Sequence, residues 1–149
     1  MNNHWTEQLE RVRRYKRRFD ELTAGKSGAP TSEDYVDDVY AFFLNCYHLK
    51  DWLISDVAYT KHSGDEIERH IKCEPTLALV ADICNGHKHF LLRKPRSGSI
   101  PTFVSKSVHV RVGADSSQVS MILEIEHGGG RLDAYQIATK ALEAWEAFI

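Results

Sequence analysis

The chain has 149 residues, of which 42% are apolar and 27% charged, with a formal net charge of −2. A single domain of that length buries roughly 70% of its unfolded surface, and the near-neutral balance excludes a chain-wide polycation. Cys46, Cys73 and Cys84 match no zinc or CxxC spacing, no run approaches the ~18 apolar residues of a membrane span, and there is no apolar leader, so a cytoplasmic protein with free thiols is expected.

From Trp5 to Leu22 the apolar residues Trp5, Leu9, Val12, Tyr15, Phe19 and Leu22 recur at steps of three and four, which predicts an amphipathic first helix. Its other faces carry Arg11, Arg13, Arg14, Lys16, Arg17 and Arg18. Such a run reads either as a solvated face or as a phosphate-facing patch, with Arg13, Arg14 and Arg17 as the candidate contacts. A loop from Ala24 to Pro30 follows. Thr31 or Ser32 then caps a long second helix, with Glu33 and Asp34 in its favourable first turn. Val36, Val39, Phe43, Cys46, Leu53 and Val57 form one face and Ala41, Leu44 and Trp52 another, so this helix is expected at the centre of a bundle or shared with a partner subunit. His48 and Asp51, at i and i+3, are near enough to interact and to raise the histidine pKa.

Ser63 and Glu66 have capping-box spacing and open a short third helix, which Glu74-Pro75 ends. Pro75 suits the first position of a fourth helix running to about Leu91. On that helix Asp82, Asn85 and His89 share a polar stripe, opposite Val80, Cys84, His87 and Leu91. Gly86 in its interior costs up to about 1 kcal/mol relative to alanine, which suggests close approach by another backbone or a ligand.

Beyond the basic loop Arg93-Lys94-Pro95-Arg96 the period becomes two. Val108, Val110 and Val112 alternate with polar residues, as do Val119, Met121, Leu123 and Ile125, across a turn at 113–117. An antiparallel hairpin over about 101–127 is predicted, closed by Gly128-Gly129-Gly130. Asp133 with Gln136 then opens a last helix, with Leu132 and Ile137 as a staple and Tyr135, Ala138, Leu142, Trp145 and Ile149 as its buried stripe. The expected fold is mainly α: one domain over 1–149, a bundle of about five helices with the hairpin inserted before the last.

Chemistry narrows by elimination. His87 and His89 point about 200° apart on a helix and cannot chelate together, so a metal or small-molecule site would need Asp82 or His89 to meet His48 or Asp51 across two helices. No metal or cofactor is expected. Cys46 and Cys84 lie on apolar faces and read as inert thiols, and no phosphate loop is present. Metal-free RNA cleavage needs a base, an acid and cations for the phosphate, and His89, Lys88 and Asn85 could supply them, above all from two copies facing across a dimer.

The segments Tyr47-His48-Leu49-Lys50-Asp51-Trp52 and Asp82-Ile83-Cys84-Asn85-Gly86-His87-Lys88-His89 together resemble the HEPN superfamily of small helical bundles in bacterial toxin and defence systems. The resemblance covers roughly 33–92 and the last helix. That family carries Arg, four to six residues, then His on a late helix, and acts as a metal-independent ribonuclease, usually at a dimer interface. It implies RNA as substrate, a homodimer, a partner protein from a defence or toxin system, and His89 as the acid or base. Lys88 would touch phosphate, Asp82 and Asn85 would orient His89, and His48 and Asp51 would line the facing helix. Asp82 stands about where the motif's arginine would. The alternative is a non-catalytic interaction domain whose polar stripe fixes helix register.

Overall fold

Five helices and a small sheet make up the computed structural model, which describes residues 4–25, 32–88, 94–112 and 117–149. The first helix, α1 (Trp5–Thr23), buries Leu9, Val12, Phe19 and Leu22, the face its periodicity selects. Its start is tied down by Asp56, whose Oδ2 accepts from the Trp5 amide at 2.9 Å. The long α2 (Ser32–Ser55) runs beside α1 and buries Tyr35, Val39, Phe42, Phe43, Cys46, Leu49 and Leu53. Val57 does not belong to that face: the helix has ended, and Val57 is 96% exposed.

The capping box at Ser63 forms in both directions, Ser63 Oγ accepting from the Glu66 amide at 3.3 Å and the Glu66 carboxylate from the Ser63 amide at 2.7 Å. It starts α3 (Gly64–Cys73), whose Ile67 and Ile71 point inward. After Glu74 turns extended, Pro75 opens α4 (Pro75–Lys88). Here the expected division into polar and apolar faces fails. Every residue from Leu77 to Cys84 is buried, Asp82 included, because α4 packs against α2, α3 and α5 at once. Over that stretch the helix is enclosed on all sides and has no solvent stripe to offer. Gly86 also differs from expectation, since a Cβ there would meet nothing within 4 Å.

The strands β1 (Thr102–Val112) and β2 (Ser117–His127) pair antiparallel, with Val110 opposite Val119, Val108 opposite Met121, and a register shift between Phe103 and Ser105. A third strand, β3 (Gly130–Asp133), extends the expected hairpin to a three-stranded sheet in the order β1-β2-β3. The return is made by Gly128 and Gly129, whose φ values of 60° and 79° are what a tight two-residue hairpin turn demands. Leu123 and Ile125 of β2 face the helices and are buried. Asp133 then caps α5 (Ala134–Phe148), Oδ1 accepting from the Tyr135 amide at 2.9 Å. The buried stripe of α5 is Ala134, Ile137, Ala138, Ala141 and Trp145, with Tyr135 and Leu142 only half-buried at its margins. Leu132 is 39% exposed, too open to act as the expected staple. Phe19 binds the bundle together, its ring 5.9 Å from Tyr35, 6.3 Å from Phe42 and 5.4 Å from Tyr135. No described helix is long and apolar enough to cross a membrane.

Candidate functional site

Where α1 and α2 meet, Gln8, Arg11, Leu44, Asn45, His48 and Trp52 line an open groove of about 350 Å³. On α2, Asn45, His48 and Trp52 fall at i, i+3 and i+7 and so share a face. Gln8, one turn before Arg11 on α1, is 1% exposed and organises the floor. Its Nε2 donates to the Asn45 carbonyl at 2.9 Å and to Asn45 Oδ1 at 3.2 Å, while its Oε1 accepts from Arg11 Nη1 at 2.7 Å. Asn45 Nδ2 donates to the Ala41 carbonyl at 2.7 Å, which locks the amide. The Arg11 guanidinium, held by Gln8, lies 5.7 Å from the Trp52 ring centroid. His48 is exposed at the lip. The groove therefore combines a fixed cation, an indole platform and an open imidazole. A smaller hollow of about 310 Å³, lined by Asp51, Trp52, Ser55 and Asp56, adjoins it through Trp52.

The opposite flank of α2 carries a second constellation. Tyr47 has Lys50 Nζ 5.2 Å and the Arg96 guanidinium 5.9 Å from its ring centroid. Lys50 contacts Asp51 at 2.7 Å and Glu68 of α3 at 3.2 Å, and Glu68 contacts Arg96 at 3.3 Å. Burial works against the charge of Lys50, but the carboxylates of Asp51 and Glu68 more than offset it and hold its pKa above the ordinary lysine value. Asp51 thus pairs with Lys50, and the expected His48–Asp51 pair does not form.

Asp82 sets where Arg96 sits. Its Oδ1 accepts from the Arg96 amide at 2.7 Å and its Oδ2 from the Ser97 amide at 2.6 Å, and Ser97 Oγ donates to it as well. Ser97 Oγ also hydrogen-bonds His127 Nε2 at 2.9 Å, tying the loop to the end of β2. Asp82 is fully buried. Its carboxyl group is committed to three donors of the 96–97 segment, so it positions a loop instead of facing an open cleft.

The expected site residues accordingly occupy separate places. His48 lines the α1–α2 groove, Asp51 belongs to the Lys50 cluster, and Asp82 lies beneath the loop carrying Arg96. Asn85 is half-buried near the end of α4. Lys88 is the last residue of α4, and its side chain lies outside the described part, as does His89 altogether. On α1, Arg13 is taken up by Glu10 at 2.6 Å and Glu146 at 2.8 Å, which hold its pKa above the usual arginine value, while Arg14 and Arg17 are exposed without an ion pair among the described residues. Sequence reasoning missed Gln8, Asn45 and the particular role of Arg11, although the i, i+3 spacing of Gln8, Arg11 and Arg14 was there to find.

Cys46 and Cys84 are buried; burial pushes the Cys46 thiol up to about 12 and raises that of Cys84 too, so neither is a thiolate near neutrality. Among the described residues, no three His, Cys, Asp or Glu side chains gather closely enough to hold a metal ion. No protein-family model, curated protein or solved structure matches the chain.

Proposed function

We propose that the chain is a HEPN-like domain that binds single-stranded RNA over the exposed face of α2, with the α1–α2 groove as a metal-independent reactive centre. The observation that carries this reading is Arg11, fixed by buried Gln8 and lying over Trp52, in the groove that also presents His48. An unpaired base can stack on an indole, a contact worth about 1–3 kcal/mol in single-strand binding. A guanidinium with spare donors suits the adjoining phosphate. An imidazole is the side chain best matched to proton transfer near neutral pH.

In the proposed reaction His48 takes the proton of a ribose 2′-hydroxyl, whose oxygen attacks the neighbouring phosphorus. The P–O5′ bond breaks, leaving a 2′,3′-cyclic phosphate, and the departing oxygen takes up a proton. Arg11 stabilises the charge gathering on the non-bridging oxygens. Base and acid are two roles and the groove presents one imidazole, so a second copy of the chain is the partner this reading invokes. Arg14, one turn along α1 from Arg11, continues the row of cations that would follow the strand.

The test is degradation of labelled single-stranded RNA by the purified protein in excess chelator. His48→Ala and Arg11→Ala are each expected to slow cleavage about 100-fold or more, the usual range for a lost acid–base group, with unchanged circular dichroism. Cleavage at the wild-type rate in His48→Ala would remove that residue from the mechanism. One observation favours a second reading, a non-catalytic interaction domain: the complete commitment of Asp82 to the 96–97 loop. Neither cleavage nor binding of RNA by the wild-type protein, with a loss of stability in Asp82→Ala, would select it.

A further inference from the structure

Between α3 and the loop that Asp82 holds lies an open groove of about 610 Å³, lined by Glu68, Arg69, Lys72, Pro95 and Arg96. Arg69 and Lys72 are exposed, three residues apart on α3, and neither makes an ion pair among the described residues. Three cations thus face one carboxylate across an open groove. The loop side is preorganised, because Asp82 fixes the backbone at Arg96 and Ser97, and Glu68 with Tyr47 orients the Arg96 guanidinium. A guanidinium whose backbone is anchored and whose head group is already oriented is a better anion ligand than a free lysine, since less side-chain entropy is lost on binding.

The groove's position suggests its occupant. Tyr47, beside the groove, and Trp52, in the α1–α2 groove, are five residues apart on α2, about 7.5 Å along the axis, on flanks separated by ~140°. Each ring has a cation near its face, Arg11 for Trp52 and Lys50 with Arg96 for Tyr47. Aromatic platforms alternating with cations along one path are what single-stranded nucleic acid binding uses. We infer that the groove of Arg69, Lys72 and Arg96 is a second phosphate-binding site, taking the backbone of the same RNA strand after it has crossed α2 from Trp52 past Tyr47. The inference rests on the reading of α2 as the RNA-binding face and adds a length requirement: a strand of a few nucleotides reaches one groove, whereas a longer one reaches both.

The experiment measures affinity of the full chain for 2′-O-methyl oligouridylates, which lack the reactive hydroxyl, as a trimer and as a dodecamer, over a range of salt concentrations. In Arg69→Glu/Lys72→Glu, two exposed positions whose replacement leaves the core intact, the dodecamer is expected to bind at least 10-fold more weakly. Its log–log salt slope should fall by ~0.7 for each phosphate that is no longer neutralised, while trimer affinity stays at the wild-type value. If the wild type binds the dodecamer and the double variant binds it equally well, the second site is refuted and the reading of α2 stands. Equal weakening of trimer and dodecamer also refutes it, because the two charges then act only as a general field. If the wild type binds neither length, the reading of α2 falls and the second site with it.

Discussion

Asp82 is the residue whose meaning depends most on its surroundings. In the run Leu77 to Cys84 it is the sole charged residue type among apolar ones, and its three bonds to Arg96 and Ser97 account for its burial. Removing the carboxyl leaves two amides of the loop without their acceptor, and an unmade partly buried hydrogen bond costs roughly 1–3 kcal/mol. Asp82→Ala is therefore expected to lower the unfolding free energy by about 2–4 kcal/mol in chemical denaturation, and a loss below about 0.5 kcal/mol would show that the loop is held by something else. A helical wheel drawn on α4 alone could not reveal this. It sorted Asp82, Asn85 and His89 into a polar stripe, yet what decides the fate of a carboxylate in an apolar run is the partner, and that partner lies 14 and 15 residues further along the chain.

At the scale of elements, local signals were legible where the physics is local. The capping box of Ser63, the proline start of α4 and the hairpin of β1 with β2 depend on neighbours in sequence and appear as expected. β3 escaped because four residues are too few to show a period, and the α1–α2 groove because Gln8 reaches Asn45 across 37 residues. At the junction of α3 with α5 two histidines flank one aromatic ring. The Phe148 ring lies between His62 and His70, each with its centroid 4.0 Å away, and Trp145 meets His70 edge-on at 5.9 Å. Burial lowers the His70 pKa, with the neighbouring His62 charge acting the same way, against opposition from the Ala144 carbonyl and Glu74. A histidine whose folded pKa lies below its unfolded value, about 6.5, binds protons more readily when unfolded. Its contribution is complete above that value and is lost as the pH falls through it towards the folded pKa. The denaturation midpoint of the wild type should therefore drop between pH 7.5 and 5.5 more steeply than that of His70→Gln. Parallel curves for the two proteins would rule His70 out as the source.

For the molecule as a whole, the helical bundle followed from the sequence, whereas the candidate site was legible only in part. His48 was singled out and does line the groove with Asn45 and Trp52 of its own helix, but Gln8 and Arg11 come from α1, and no periodicity within α2 could name them. The basic run on α1 likewise separates only in three dimensions: Arg11 turns into the groove, Arg13 pairs with Glu10 and Glu146, Arg18 pairs with Asp38 at 3.1 Å, and Arg14 and Arg17 are exposed with no ion pair among the described residues. A slightly acidic protein with such local concentrations of positive charge is expected to bind a polyanion by its surface geometry, with marked sensitivity to salt. The most direct measurement is a backbone and indole NMR titration of the full chain with a 2′-O-methyl octauridylate. The largest shift changes are expected on Gln8, Arg11, Asn45, His48 and the Trp52 indole N–H, saturating together and weakening as salt is raised. Changes confined to the sheet or to α5, or none at millimolar RNA, would contradict the reading of α2 as the RNA-binding face.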